Sequence, residues 1–219
     1  MTEYLVGLDL GQAVDHTAIA VAEVLHVPTG EREGVPGAVG QARDGRVIPI
    51  TREKLRRHFH IRHLERFELG LSYPRMAQDV AALLNREPLR SGETTLVMDR
   101  GSIGRAVSDL LELADLSCNL ALVTSTGGDH ETRDGYTWTV PKRNLVSSAQ
   151  VLLQQGRLRI AAGLPLAATL AQELADYQVR ISQAGHDSYS APSGQHDDLV
   201  SALSLIAWFG GDEAVTQWF

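Results

Sequence analysis

The stretch Tyr4-Leu-Val-Gly-Leu-Asp-Leu-Gly11 decides how the rest of the chain is interpreted. Its apolar residues are continuous, which is typical of a strand buried on both faces at the centre of a sheet. One carboxylate, Asp9, stands near the end of this strand. A charge is rarely buried unless it is paired or bound to a metal. Taken alone, the stretch leaves two interpretations of Asp9 open: a cap for the turn at Gly11-Gln12, or part of a charged site.

Length and composition set the class of protein. The chain has 219 residues, enough for one domain with a full core, and a formal net charge of -7. That charge argues against non-specific coating of nucleic acid, but it is compatible with an acidic site that binds divalent cations. The single cysteine, Cys118, favours a reducing cytoplasm. We expect no membrane partner, because no signal peptide or membrane-length apolar run is present.

The first third of the chain predicts an antiparallel arrangement. Residues 16–27 are rich in β-branched and small apolar residues and predict a second strand that forms a hairpin with the first. Residues 28–50, rich in glycine and proline, predict a flexible loop. Alternating polar and apolar residues from His58 to Phe67 predict a third, half-buried strand. Its basic residues either contact a phosphate backbone or form a solvated sheet face.

The middle of the chain predicts a parallel unit. Residues 94–99 form a buried strand that ends in Asp99, residues 101–104 interrupt the chain, and residues 105–114 form a helix. Residues 120–124 form the next buried strand. This order implies parallel pairing with a right-handed crossover. Residues 125–139 predict a second flexible loop.

The last predicted element is a helix over residues 195–208. Asp197 and Asp198 stand in its first turn, where the helix dipole favours acids, and His196 precedes them. Capping needs only one acid, so the pair indicates a further role.

These carboxylates form one constellation. If the first strand pairs with the strand that carries Asp99, the last helix can place Asp197 and Asp198 above both strands. Such a concentration of negative charge is very unfavourable without cations. It suits two Mg²⁺ or Mn²⁺ ions roughly 4 Å apart, which activate a water and stabilise the leaving oxygen of a phosphodiester.

At this point the chain resembles the nuclease domain of phage large terminase subunits, a branch of the ribonuclease H-like superfamily. The matching pieces occur in the family's order: Gly7-Leu-Asp-Leu-Gly11 with Asp15-His-Thr-Ala-Ile19, Val97-Met-Asp-Arg-Gly-Ser-Ile-Gly104, and Gly194-Gln-His-Asp-Asp-Leu-Val-Ser-Ala-Leu203. The resemblance implies an α/β fold with a ribonuclease H-like mixed β-sheet flanked by helices. It also implies metal-dependent cleavage of double-stranded DNA during genome packaging, in the cytoplasm of a bacterial host.

The resemblance also implies roles for single residues. Asp9 would bridge both metals, Asp99 would bind one, and Asp198 with Asp197 would hold the other. Which member of the pair is the direct ligand stays open. His196 either orients a ligand, contacts a phosphate or has no role.

A further piece, Trp138-Thr-Val-Pro-Lys-Arg143, also looks like a family feature. Lys142 or Arg143 would hold the scissile strand, and the competing interpretation is a pair of surface cations.

One departure from the family concerns its ATPase motor. The sequence contains no Gly-x-x-x-x-Gly-Lys-Ser/Thr loop. We therefore expect residues 1–219 to be a single ribonuclease H-like nuclease domain without an ATPase domain, either excised or stand-alone. The resemblance implies double-stranded DNA as a partner, together with a separate terminase ATPase, small terminase subunit or portal.

Three alternatives remain at this point. A ribonuclease H or Holliday-junction resolvase would use the same fold and metals. An actin-like or sugar-kinase-like nucleotide-binding domain shares a loop like Gly7–Gly11, but it needs a second phosphate loop that is not evident. The third is a non-catalytic nucleic-acid-binding or packaging-scaffold module.

Overall fold

The structure is a computed structural model that describes residues 1–11, 15–114, 116–181, 187–190 and 196–211. Side chains are described in these ranges except at 102–105, 178–181 and 187–190. Gln12 and Gly194-Gln195 of the sequence motifs lie outside the described residues, as do the side chains of 102–104.

Eight strands form the main sheet. They are β1 (Glu3–Asp9), β2 (Ala18–Gln41), β3 (Val47–Arg66), β4 (Glu93–Asp99), β5 (Asn119–Thr126), β6 (Thr132–Asp134), β7 (Thr137–Pro141) and β8 (Leu158–Ile160). Their order across the sheet is β6-β7-β5-β4-β1-β2-β3-β8. The helices are α1 (Tyr73–Leu84), α2 (Gly101–Glu112), α3 (Lys142–Gln154), α4 (Ala167–Asp176) and α5 (Asp198–Gly211). The expected α/β class with a mixed sheet flanked by helices is confirmed.

The pairing around β1 follows the prediction. β1 is antiparallel to β2 and parallel to β4, and β4 is parallel to β5. The connection from β4 to β5 runs through α2, as expected of a strand–helix–strand unit. β1 therefore lies in the interior of the sheet, where both of its faces are covered.

The two faces of the sheet carry separate cores. On β1, Tyr4, Val6 and Leu8 point to one face and pack with residues of α1 and α2. Leu5 points to the opposite face, which α3 and α5 cover. α5 is buried along almost its whole length, since it lies between the sheet on one side and α3 and α4 on the other. A helix that is apolar all round is typical of such a position.

The prediction of a loop over residues 28–50 is wrong. β2 and β3 continue past the body of the sheet as a paired two-stranded arm that ends in a turn at 42–46. Glycines at positive φ and shifts of register interrupt the pairing, at Gly30 and Gly37 among others. The arm is exposed on both faces, so its sequence lacks the alternation that marks a half-buried strand.

Two smaller predictions also need correction. Residues 125–139 are not one loop, because β5 continues to Thr126 and a short hairpin of β6 and β7 follows. α2 begins at Gly101, so residues 101–104 start the helix instead of interrupting the chain. Outside the main sheet, β9 (Gln178–Ile181) pairs with β10 (Asp187–Ser190) in a separate two-stranded sheet. Among the helices that the structure describes, none is long and apolar enough to cross a membrane.

Candidate metal centre

The register of the central strands places two carboxylates side by side. Leu8 of β1 pairs with Met98 of β4, so the next residues, Asp9 and Asp99, follow at the same level of two parallel strands. Side chains alternate along a strand. Leu5 and Val97 belong to the core under α5, so Asp9 and Asp99 are directed to the α5 face.

Helix α5 reaches this point because β1 carries a glycine there. A Cβ atom at Gly7 would lie 2.0 Å from the carbonyl oxygen of Ala202, a distance that no side chain could occupy. Without that side chain, α5 packs directly on the backbone of β1. The first residue of α5 is Asp198, and Asp197 precedes it, so the helix start lies over the ends of β1 and β4.

The four predicted acids line one cavity of about 190 Å³. Asp15 is a fifth acid in its wall. Lys142 lines the same cavity. The remaining lining residues are mostly small, polar or aliphatic: Leu10, Gly11, Ser125, Leu145, Val146, Tyr177, Ser201, Ser204 and Leu205. The structure therefore brings Asp9, Asp99, Asp197 and Asp198 together.

Burial and neighbouring charges perturb the ionisation of Asp9 and Asp99. Burial raises the pKa of Asp9 well above its usual value, and the charges of Asp99 and Asp197 raise it further, while Lys142 lowers it. Burial also raises the pKa of Asp99, and this rise is opposed by the N–H of Gly101, which donates to Oδ1 at 2.9 Å. A cavity that disfavours the ionised form of two of its carboxylates is a good site for an added cation.

The donor set fits hard divalent cations. Carboxylate oxygens are the ligands that Mg²⁺ and Mn²⁺ prefer, and neither sulfur nor histidine lines the cavity. The buried hydroxyl of Ser204 faces the same cavity and has no hydrogen-bond partner, so it can accept a bond from a water held there. Within the described ranges, no three histidine, cysteine or acidic side chains converge closely enough to hold an ion as they stand.

The predicted cations separate into two groups. Lys142 faces the acids, whereas the guanidinium of Arg143 pairs with Asp129, at 2.8 Å, on the loop before β6. His196 lies beside the cavity: its Nδ1 is 4.0 Å from Oδ1 of Asp198 and has no hydrogen-bond partner. Its ring also makes an edge contact with His16, at 5.2 Å between centroids.

Two residues that the sequence did not single out, Arg66 and Glu173, form an ion-pair network with Asp198. Arg66, the last residue of β3, donates to both carboxylate oxygens of Asp198 and also to Glu173 on α4. The pKa of Glu173 is raised to about 7, chiefly by burial. The charge of Arg66 lowers this pKa and the charge of Asp198 raises it. No spacing in the sequence relates these three residues, since β3, α4 and α5 are far apart along the chain.

Comparison with known proteins gives matches among solved structures only. The large terminase nuclease from thermophilic phage G20c, solved with bound magnesium, has a TM-score of 0.60 and 18% identity, over 94% of this chain and 80% of that chain. The same nuclease has also been solved with bound cobalt. The large terminase nuclease domain of Thermus phage P74-26 has a TM-score of 0.57 and 19% identity, over 96% of this chain and 82% of that chain. No family model matches the chain, and neither does any curated protein sequence.

At these identities the likeness concerns the arrangement of strands and helices, and it extends over nearly the whole chain. The chain therefore has the fold of the phage large terminase nuclease domains that it matches.

Proposed function

We propose that the chain is a metal-dependent endonuclease that cleaves DNA phosphodiester bonds with two divalent ions, Mg²⁺ or Mn²⁺, as a nuclease of the kind used in viral genome packaging. The observation that carries the proposal is the meeting of β1, β4 and α5 at one cavity, where each contributes acid. These elements are widely separated in sequence, and each is fixed by extensive burial. A scaffold protein would gain nothing from the resulting repulsion.

Each residue of the candidate metal centre has a separate role in this proposal. Asp9 and Asp99 would hold ions from the sheet side, and Asp197 and Asp198 would hold them from the helix side. When bound, two divalent ions lower the pKa of a water and stabilise the leaving oxygen of the phosphodiester. Lys142 faces the same cavity and would hold the phosphate of the scissile strand. Arg143, which is turned toward Asp129, and His196, at the rim, would contact the DNA backbone outside the cavity.

The wider assignment rests on the similar proteins. They are nuclease domains of large terminases, and the chain spans most of their length. We take residues 1–219 as one nuclease domain acting on double-stranded DNA in the cytoplasm of a bacterial host. A separate terminase ATPase, a small terminase subunit or a portal would be its partners in packaging.

Plasmid nicking with Mn²⁺ tests the proposal. Wild type should nick supercoiled plasmid, and Asp9→Asn and Asp99→Asn should each abolish nicking while keeping the circular dichroism spectrum of wild type. Asp134→Asn, which alters an exposed acid on β6, is the matched control and should cut normally. Equal cutting by wild type and Asp9→Asn would show that the assignment is wrong.

Substrate preference is decided with the same protein. Linear duplex, an RNA–DNA hybrid and a four-way junction are compared at equal concentration in Mn²⁺. Preference for the duplex supports the proposal. Preference for the hybrid or the junction would instead indicate a ribonuclease H or a resolvase, and binding without cleavage of any substrate would indicate a scaffold.

A further inference from the structure

One guanidinium is shared by two buried carboxylates at the edge of the candidate metal centre. Nη2 of Arg66 donates to Oδ1 of Asp198 at 3.1 Å, Nε donates to Oδ2, and Nη2 also contacts Oε1 of Glu173. The side chains of Asp198 and Glu173 are only 4% and 7% exposed. Two-point contact of this kind is the strongest arrangement that arginine makes with a carboxylate.

The position of Arg66 makes this contact relevant to the cavity. Arg66 pairs with Ala18 on β2, and Ala18 pairs with Asp9 on β1, so Arg66 stands at the level of Asp9. Two strand spacings separate them, about 10 Å. Both oxygens of Asp198 are engaged from this side, although the carboxylate lines the cavity. As the chain stands, an ion at Asp198 would compete with Arg66 for both carboxylate oxygens.

Glu173 supplies a second acceptor for the same guanidinium. Its Oε2 accepts the N–H of Val200 at 3.2 Å, which fixes the carboxylate against the first turn of α5. If Asp198 moved toward a cation, Arg66 would keep Glu173 as a partner and would not become an unpaired buried charge, which is the costly outcome for a broken buried ion pair. With Asp198 in either position, each of the three charges would thus have a partner.

We propose that Arg66 is a placeholder for the metal: it occupies Asp198 until a divalent ion draws that carboxylate away, and it then pairs with Glu173 alone. The inference rests on the proposed metal site and concerns how that site is loaded. Arg66 is a regulatory residue in this scheme, since it acts on the ions only through Asp198.

Calorimetric titration with Mn²⁺ tests the placeholder. Arg66→Gln should bind Mn²⁺ about tenfold more tightly than wild type, because a charge-assisted contact no longer competes. Glu173→Gln should bind about tenfold more weakly, because Arg66 loses its alternative partner. Arg57→Gln is the matched control: Arg57 lies on the same strand, is 12% exposed and pairs with Glu3, and its loss should not change binding.

A second comparison separates the placeholder from simple charge effects. Removing any cation near the cavity could tighten Mn²⁺ binding, so Arg66→Gln is repeated in the Asp198→Asn background. The tightening should vanish there, because Arg66 acts through Asp198. Tightening that persists in this background, or no tightening in either, overturns the inference.

Folding of the Arg66 variants and their binding of Mn²⁺ are measured separately. Arg66→Lys keeps the charge but cannot make the two-point contact, so it should fold if Arg66→Gln does not, and it should still bind Mn²⁺ more tightly than wild type. The thermal shift that Mn²⁺ produces should also be larger in either variant than in wild type. Lack of Mn²⁺ binding by wild type would remove the proposed function itself, whereas normal wild-type binding with unchanged Arg66 variants removes only the placeholder.

Discussion

The backbone of β1 at Gly7 and the carbonyl oxygen of Ala202 are in direct contact: a Cβ atom on Gly7 would lie 2.0 Å from that oxygen. This contact sets the height of α5 above the sheet. It therefore sets the distance between the acids at the start of α5 and the acids at the ends of β1 and β4. Packing and site geometry depend on the same missing side chain.

The first prediction concerns Gly7→Ala. Because the obstacle is backbone, α5 must shift, and we expect a loss of about 3 kcal/mol or more of unfolding free energy, at the upper end of overpacking costs. Urea denaturation measures this. Gly34→Ala is the control, since nothing lies within 4 Å of its Cβ position, and it should change stability by less than about 0.5 kcal/mol. A stable Gly7→Ala protein would show that α5 does not rest on β1 as described.

The second prediction is that Asp9→Asn stabilises the protein in EDTA while it removes nicking. Burial and the neighbouring acids disfavour the charge of Asp9, so the neutral amide relieves repulsion. Functional sites commonly trade stability for activity in this way. Thermal denaturation at pH 8 should give a higher Tm for Asp9→Asn than for wild type, and Mn²⁺ should reverse the order. A lower Tm in EDTA would mean that Asp9 is favourably paired.

The third prediction concerns pH. The pKa of Asp9 is raised in the folded state, so the folded protein binds a proton more tightly than the unfolded chain does. In EDTA its contribution to stability is present at low pH and is lost as pH rises from the ordinary aspartate value through the raised one. Tm of wild type should thus fall across this window, and the fall should be smaller in Asp9→Asn.

Metal affinity should have the opposite dependence on pH. A proton on Asp9 competes with the ion, so calorimetry should give weaker Mn²⁺ binding at pH 6 than at pH 8, with protons released on binding. Affinity that does not change with pH would exclude Asp9 as a ligand that titrates in this range.

The fourth prediction separates two adjacent cations. Lys142 lowers the pKa of both Asp9 and Asp99, whereas Arg143 pairs with Asp129 outside the cavity. Lys142→Gln should raise both pKa values and move the acid limb of the nicking profile to higher pH. Arg143→Gln should leave that limb in place. If the acid limb shifted equally in the two variants, Lys142 would have no specific effect on the pKa values of Asp9 and Asp99.

Much of the fold follows from local patterns in the sequence. The continuous apolar runs of β1, β4 and β5 predict interior strands, and their order predicts the parallel pairing of β4 with β5. The pairing of β1 with β4, which brings Asp9 beside Asp99, entered the sequence interpretation as a condition, and the structure shows that it is parallel. The arm of β2 and β3 could not be predicted in this way, because a ribbon exposed on both faces has no hydrophobic period, and its glycines resemble those of a loop.

The acids were accessible to sequence reasoning, but their surroundings were not. Asp197 and Asp198 stand out because two adjacent acids exceed the needs of a helix start. Arg66 and Glu173 belong to ordinary amphipathic stretches, and only the packing of β3 and α4 against α5 brings them to Asp198. Ion pairs between residues that are far apart along the chain cannot be predicted from the spacing of residues in the sequence.

The central position of β1 has a consequence for timescales. Its backbone is hydrogen-bonded on both sides and covered on both faces, so amide exchange near Asp9 should require opening of the whole domain. Asp198 is held instead by side chains, which can exchange partners in far less time. We therefore expect a change of partners in the site to involve Asp198, at the start of α5, whereas the backbone around Asp9 on β1 keeps its position.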